Sequence, residues 1–216
     1  MEDEPVYFKA KWSDTFVKSK TSEETFYAPA GEILCEFMKK SKSGTYYTGD
    51  NFSAVHKYFD NRNGGMWFIL PEEGITPEDL LSDSQTMEFI LSGSEWENEE
   101  DLRINLSVPK FDITSGFDLT DGLKRLGVTD VFDETDSDFS GITKESPCIL
   151  TKAQHDVRVT IDEEGCTAAA YTVFLMEGAG MPPKEEMDFI LNRPFLFVIT
   201  SEVGLPLFVG IVNQPV

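Results

Sequence analysis

The distribution of apolar residues predicts a chain built mostly from β-strands. The runs at 33–38 (ILCEFM) and 66–70 (MWFIL) are short and apolar, and the turn PEEG closes the second. Such runs are typical of buried strands. Residues 52–59 alternate loosely between apolar and polar side chains. Because the glycine-rich sequence DNRNGG separates them from 66–70, we predict that these two segments form a hairpin.

Four further segments read as strands. The alternation at 102–113 and 157–161 predicts two half-buried strands, and Pro109 marks an edge or a bend in the first. The runs PFLFVIT and LPLFVGIVN near the C-terminus are apolar on both faces, and a short turn at 201–204 joins them. Strands of this kind are expected in the centre of a structure.

Two helices are predicted between the strands. The first begins at Thr76, with Pro77 in the first turn and Asp79 at the spacing of a capping box, and ends at Gly93. The side chains that it would bury are Leu80, Leu81, Met87 and Leu91. The second helix would place Leu119, Leu123 and Leu126 on one face and stop at Gly127. The resulting fold class is α+β, with largely antiparallel sheets and few helices.

The charge balance narrows the range of partners. The chain has 18 basic and 39 acidic residues, a formal net charge of −21. Nucleic acid is not expected as a partner, because binding phosphates requires clustered lysine and arginine. The acidity would instead steer basic partners to the surface. We find no apolar run of membrane-spanning length and no signal-peptide pattern in MEDEPVYFKAKW, so we expect neither feature in this stretch.

The sequence does not indicate a catalytic site or a metal site. The two histidines, His56 and His155, lie near no nucleophile motif, and a thiol–imidazole pair of Cys166 with His155 stays a remote alternative. The cysteines, Cys35, Cys148 and Cys166, show no CxxC spacing, and we expect one or two of them to be buried thiols. The segment at 136–147 begins like a calcium loop, but its twelfth position is Pro147 instead of glutamate. We therefore predict no enzyme activity, metal or cofactor.

The segment 163–183 (EEGCTAAAYTVFLMEGAGMPP) has an unusual pattern, with no charge between Glu164 and Glu177. A surface loop is normally more polar, and a strand is normally bounded sooner. One explanation is a segment that is a loop in one state and a strand in another. In a strand, one face would carry the small residues Cys166, Ala168, Ala170 and Thr172. The other face would carry Thr167, Ala169, Tyr171 and Val173.

Several segments resemble the serpin family, suicide inhibitors of serine and cysteine proteases, and occur in the family's order. They are VYFKAKWSDTF, GGMWFILPEEG, VPKFDITSGFDLTDGLKRLGVTDVFD, SDFSGITKE, VTIDEEGCTAAAYT and FILNRPFLFVITSEVGLPLFVGIVNQP. The resemblance implies that 1–216 is the C-terminal portion of a single serpin-like domain, with a reactive-centre loop at about 163–183. Since the family's domain is longer, the chain is expected to be a fragment, a truncated reading frame or a miniature.

The resemblance also implies a mechanism. A protease cuts the exposed loop and is trapped as an acyl-enzyme when the loop inserts as a new strand of a sheet. The implied hinge consists of Glu164, Gly165, Cys166, Thr167, Ala168, Ala169, Ala170, Tyr171 and Thr172. The loop length places the reactive bond at Ala179–Gly180, with Gly178 and Met181 as neighbouring alternatives. A small alanine at the cut implies an elastase-like serine protease, and a cysteine protease stays open as target.

Two further residues match the family in the region where the sheet opens. Trp12 matches a tryptophan at the top of the sheet, and His155 matches a histidine whose usual asparagine partner is replaced by Glu4. The simpler interpretation of His155 is a core histidine. Because the half-domain would leave apolar faces uncovered, we expect a homodimer or a complementary N-terminal half. The alternatives to an inhibitor are a non-inhibitory substrate or binding protein and an inactive fragment. The resemblance favours a secreted location over a cytoplasmic one.

Overall fold

Apolar runs and turn residues divide the chain into strands and helices, and the computed structural model describes residues 8–60, 64–92, 96–144, 148–166 and 185–215. The strands are β1 Ala10–Lys11, β2 Ser22–Ala28, β3 Gly31–Thr48, β4 Phe52–Tyr58, β5 Gly65–Pro71, β6 Glu99–Pro109, β7 Phe111–Asp118, β8 Gln154–Ile161, β9 Gly165–Cys166, β10 Glu186–Ile190, β11 Phe195–Thr200 and β12 Pro206–Val212. The helices are α1 Pro77–Ser82, α2 Ser84–Ser92 and α3 Thr120–Arg125. Phe8–Ile113 and Val159–Val216 form a larger compact unit, and Thr114–Arg158 belongs to a smaller one.

The larger sheet has the strand order β10-β6-β3-β4-β5-β11-β12, and β2 pairs with β3. All pairings are antiparallel except that of β10 with β6. The predicted hairpin of 52–59 with 66–70 is confirmed as β4 and β5, and its connection at 61–63 lies outside the described residues. The α+β class with largely antiparallel sheets is confirmed.

The centre of this sheet follows the apolar runs. Every residue of β5 and β11 is buried, as their continuous apolar sequences predict. The prediction that all apolar residues are buried is wrong for two other strands, β12 and β3. In β12, burial alternates and Leu207 and Val209 are exposed, because this strand ends the described sheet order. In β3, Phe37 is buried but Leu34 is exposed, since successive side chains point to opposite faces.

The smaller sheet has the order β1-β9-β8-β7. The predicted strand at 102–113 divides into β6 and β7 at Lys110, so Pro109 marks a bend. Its alternation is confirmed for β6, where the apolar residues are buried. The segment 157–161 is confirmed as part of β8.

The predicted helix at 76–92 begins as expected but is broken. Thr76 and Asp79 form the complete capping box. Asp83 then adopts an extended conformation, and its carboxylate accepts a hydrogen bond from the Thr86 backbone N–H at 2.8 Å. This bond starts α2 on a new face, so Leu91 is 67% exposed where burial was predicted. Leu80 is buried as predicted, whereas Leu81 and Met87 are exposed.

Phe89 and Ile90 are the buried residues of α2, in place of the predicted Met87 and Leu91. They pack into a core cluster with Phe52 and Trp67. The predicted stop at Gly93 lies outside the described residues. In the smaller unit, α3 is short and ends before Gly127, which has φ +89°. The predicted helix is confirmed as α3, and two residues of its predicted apolar face, Leu119 and Leu126, are exposed. No helix in the described ranges is long and apolar enough to cross a membrane.

Candidate functional site

Strand β9 lies between β1 and β8 and contains the first residues of the predicted hinge strand. Ala10 pairs with Cys166 and Lys11 with Gly165, both antiparallel. On the other edge, Cys166 pairs with Ile161 of β8. The chain therefore leaves β8, reverses direction, and begins a new strand in the interior of the sheet. Both Cys166 and Ile161 are buried, so the small-residue face of the predicted hinge starts on the buried side.

A tight turn at Asp162 makes this reversal possible. Its carboxylate accepts hydrogen bonds from the backbone N–H groups of Glu164 (2.8 Å) and Gly165 (3.1 Å). The backbone N–H of Asp162 donates to the Gly165 carbonyl at 3.0 Å. A Cβ atom on Gly165 would overlap the Ala10 carbonyl oxygen and lie 2.7 Å from the Lys11 Cα. Glycine is therefore required for β9 to approach β1 this closely.

Trp12 connects the end of β1 to this turn. Its indole N–H donates to the Asp162 carbonyl at 3.0 Å, and its backbone N–H donates to the Glu164 carbonyl at 3.0 Å. The ring is buried and stacks on Phe59, with 5.0 Å between centroids. The Phe16 N–H donates to the Glu163 carbonyl at 2.9 Å. The structure thus brings Trp12 together with Glu164, Gly165 and Cys166, four residues selected from the sequence.

Glu163 holds the same turn from the other side. Its carboxylate accepts a hydrogen bond from the Thr21 hydroxyl at 2.8 Å and pairs with the Lys110 ammonium at 2.9 Å. Burial raises the pKa of Glu163, but the bonds from Lys110 and Thr21 outweigh it and hold the pKa below its ordinary value. Lys110 also pairs with Glu36 at 3.1 Å. Burial lowers the Lys110 pKa, and the two carboxylates outweigh this and raise it.

We call Trp12, Thr21, Lys110, Glu163 and Glu164 the strand-entry site. Sequence reasoning missed the roles of Thr21 and Lys110 and did not place Glu163 in the hinge. The pairing of Lys110 with Glu163 joins residues far apart in the chain. A local pattern therefore carries no signal for it.

Of the other residues that the sequence analysis selected, some lie away from the strand-entry site and some lie outside the described residues. His155 lies on β8 in the smaller unit. Glu4, the hinge residues 167–172 and the bond Ala179–Gly180 lie outside the described residues. All three cysteines are free thiols, with Cys35 and Cys166 buried and Cys148 partly buried. Burial raises the pKa of Cys166 to about 11, which opposes the thiolate that a nucleophile requires. Among the described residues, no group of three or more His, Cys, Asp or Glu could hold a metal ion.

Fold and site define a class of protein: an α+β chain in which the short strand Gly165–Cys166, at the start of the predicted reactive-centre loop, lies between two strands of a sheet. The model of the serpin (serine protease inhibitor) family matches residues 4–215, and the chain belongs to this family. It is 33% identical to a serpin-like protein of Thermococcus kodakarensis over 97% of this chain and 48% of that protein. It is 32% identical to alpha-1-antiproteinase 2 of Equus caballus over 97% of this chain and 48% of that protein.

Solved structures agree with this assignment. The native state of tengpin, a thermophilic serpin, superposes with a TM-score of 0.77 at 27% identity, over 96% of this chain and 53% of that one. A serpin of the trematode Schistosoma haematobium superposes with a TM-score of 0.79 at 26% identity, over 97% and 55%. Human thyroxine-binding globulin, in complex with thyroxine, shares the fold with a TM-score of 0.76 at 24% identity, over 97% of this chain and 54% of that one. The chain spans about half the length of the curated relatives it matches.

Proposed function

We propose that this chain acts in serpin-type suicide inhibition of an elastase-like serine protease, as an inhibitor and not an enzyme. The protease cuts the loop 163–183 at Ala179–Gly180, and the hinge 165–173 inserts into the sheet. The observation that carries the proposal is the position of β9, which already lies between β1 and β8. Insertion would extend this strand along the edge of β8, from the pairing of Cys166 with Ile161.

The burial pattern supports insertion of the small-residue face. If β9 continues at its present register, Thr167 comes opposite Thr160, and Ala168 comes opposite Val159. Val159, Ile161 and Cys166 are buried, so an extended strand would place Ala168 on the same buried face as Cys166. The bulky Tyr171 would fall on the other face. A packed interior accepts small side chains at these positions and opposes a charge there.

The released free energy would come from new strand pairing. Each inserted residue exchanges backbone hydrogen bonds to water for bonds within the sheet and buries apolar surface on one face. The acyl-enzyme survives only if this insertion is faster than hydrolysis of the acyl bond. A chain that inserts slowly would therefore be cut as a substrate.

Incubation with a pancreatic-type elastase, followed by a denaturing gel and intact-mass analysis, tests the proposal. We expect a covalent band at the mass of the protease plus residues 1–179, because the acyl bond to Ala179 replaces the peptide bond to Gly180, and a released peptide of residues 180–216. Two matched variants separate trapping from simple cleavage. Ala168→Arg places a charge on the buried face and should abolish the covalent band, whereas Ala169→Arg, on the opposite face, should retain it.

Cleavage near Ala179 without a covalent band in the unmodified chain would contradict inhibition and favour the alternative of a non-inhibitory substrate or binding protein. The shared fold with thyroxine-binding globulin supports the alternative of a binding protein, because that protein is named for a bound ligand. An uncut chain would favour the inactive fragment.

A second polypeptide is part of the proposal. Strand β12 and the turn before it expose Leu205, Leu207 and Val209, which alternate along one side of the strand. Since the chain spans about half the length of its relatives, we assign a complementary N-terminal half of the serpin domain to this surface. Sedimentation should show a monomer that binds such a half. A stable homodimer would instead favour self-association, and Leu207→Lys should weaken whichever contact forms.

A further inference from the structure

A cavity of about 260 Å³ lies in the larger unit, next to the strand-entry site but separate from the hinge. Strands β3 and β4 form its walls, and Ser13 and Asp14, which follow Trp12, close one end. The proposed inhibitory function uses none of its polar side chains. The cavity therefore needs an explanation of its own.

Three lysines surround Asp14 in this cavity. The Asp14 carboxylate pairs with Lys40 and, at 3.5 Å, with Lys42. The Lys57 ammonium donates to the Asp14 backbone carbonyl. Asp14, Lys40, Lys42 and Lys57 are the lining residues that carry a formal charge, so the lining holds an excess of two positive charges in a protein of net charge −21. Such an excess is unusual in so acidic a chain and favours a bound anion.

Lys57 is the most deeply placed of the three, with 9% of its surface exposed. Its ammonium lies 4.5 Å from the Phe16 ring centroid and 5.2 Å from that of Trp12. The Lys57 pKa is lowered to about 7, mainly by burial; the Asp14 charge opposes this shift, and the charges of Lys40 and Lys42 add to it. An additional negative charge in the cavity would relieve this repulsion.

The other wall of the cavity is apolar. Lys40 and Lys42 alternate along β3 and therefore share a face, directly opposite Leu106 and Ile104 of β6. These two side chains and Val55 are buried and line the cavity. The volume exceeds what a bare oxyanion requires. The lining thus combines a cationic end with an apolar floor.

We propose that this cavity binds a small organic anion, with a phosphate or carboxylate head held by Lys40, Lys42 and Lys57 and an apolar body on Leu106, Ile104 and Val55. The bound head would link β3 and β4 to the segment that follows Trp12. This inference is independent of the proposed inhibitory function.

Calorimetric titration of the full chain with phenyl phosphate at neutral pH tests the inference. We expect saturable binding that Lys42→Gln weakens by about tenfold, because one charge-assisted contact is lost. The matched control is Lys39→Gln, which removes the same charge from the same strand on the opposite face. Lys39 pairs with Glu24, and its side chain is 42% exposed, against 48% for Lys42. This control should leave the affinity unchanged.

A second variant, Lys40→Gln, keeps the test decisive if one substitution alters folding. Inorganic phosphate should bind about tenfold more weakly than phenyl phosphate, because it lacks the apolar body. No saturable binding up to about 10 mM, or affinities unchanged in both Lys42→Gln and Lys40→Gln, would overturn the inference. Equal affinity for the two phosphates would overturn the role of the apolar floor.

Discussion

Glu163→Gln tests whether the buried ion pair of the strand-entry site stabilises the fold. The glutamine keeps the size of the side chain and can still accept from the Thr21 hydroxyl, but it removes the charge opposite Lys110. The exposed fraction of the Glu163 side chain is 6%, against 57% for Glu36, the other carboxylate on the same ammonium. The two carboxylates thus offer a matched pair that differs mainly in burial.

A hydrogen bond between charged partners contributes roughly 1.5–3 kcal/mol when it is protected from water. Lys110 keeps Glu36 and some exposure to water, so we expect Glu163→Gln to lower the free energy of unfolding by about 1.5–2 kcal/mol. Exposed ion pairs contribute far less, and Glu36→Gln should cost about 0.5 kcal/mol. The double variant with Lys110→Met gives the coupling energy of the buried pair.

Urea denaturation at several pH values provides the assay. The Glu163 pKa in the folded state is held below the ordinary value of 4.5. The charge of Glu163 therefore makes its full contribution to the free energy of unfolding when the pH is above 4.5. It is lost as the pH falls through the lower, folded-state pKa. The difference between the unmodified chain and Glu163→Gln should therefore shrink on acidification. A cost for Glu163→Gln no larger than that for Glu36→Gln at neutral pH would refute the reasoning.

Three other substitutions or reactions probe the same region. Gly165→Ala should cost roughly 1–3 kcal/mol in urea denaturation, because its Cβ meets the backbone of β1, whereas Gly122→Ala, with open space around it, should cost nothing. Trp12→Phe should cost about 2–3 kcal/mol by the same assay, from a lost indole hydrogen bond and lost volume, and an unchanged midpoint would contradict its anchoring role. Cys166, with a pKa of about 11, should react with iodoacetamide at pH 8 far more slowly than the partly buried Cys148, and equal labelling would count against its burial.

The sequence was sufficient to predict the elements that depend on neighbouring residues in the chain. The capping box of Thr76 and Asp79 depends on a spacing of three residues, and it forms as predicted. The continuous apolar runs of β5 and β11 predicted burial on both faces, because no solvent-facing position interrupts them. The small-residue alternation after Gly165 predicted a strand; Cys166 lies in the sheet, and the rest of that alternation falls outside the described residues.

Features that depend on tertiary contacts could not be predicted in this way. The helix break at Asp83 depends on competition between its side chain and the continuing helix, which the apolar spacing does not record. The bond from the Trp12 indole to Asp162 spans 150 residues, and nothing in either local sequence indicates the other. The charged cavity was missed for the same reason, since Asp14, Lys40 and Lys57 come together only when the strands pair.

The most direct test of the central claim, that β9 is the start of an inserting strand, is the thermal unfolding midpoint before and after a single cut at Ala179–Gly180. Insertion of about six further residues at roughly 1 kcal/mol each should raise the midpoint by on the order of 10–20 °C. The Ala168→Arg variant, cut at the same bond, should show no such rise. A midpoint that stays constant or falls after cleavage of the unmodified chain would contradict the account.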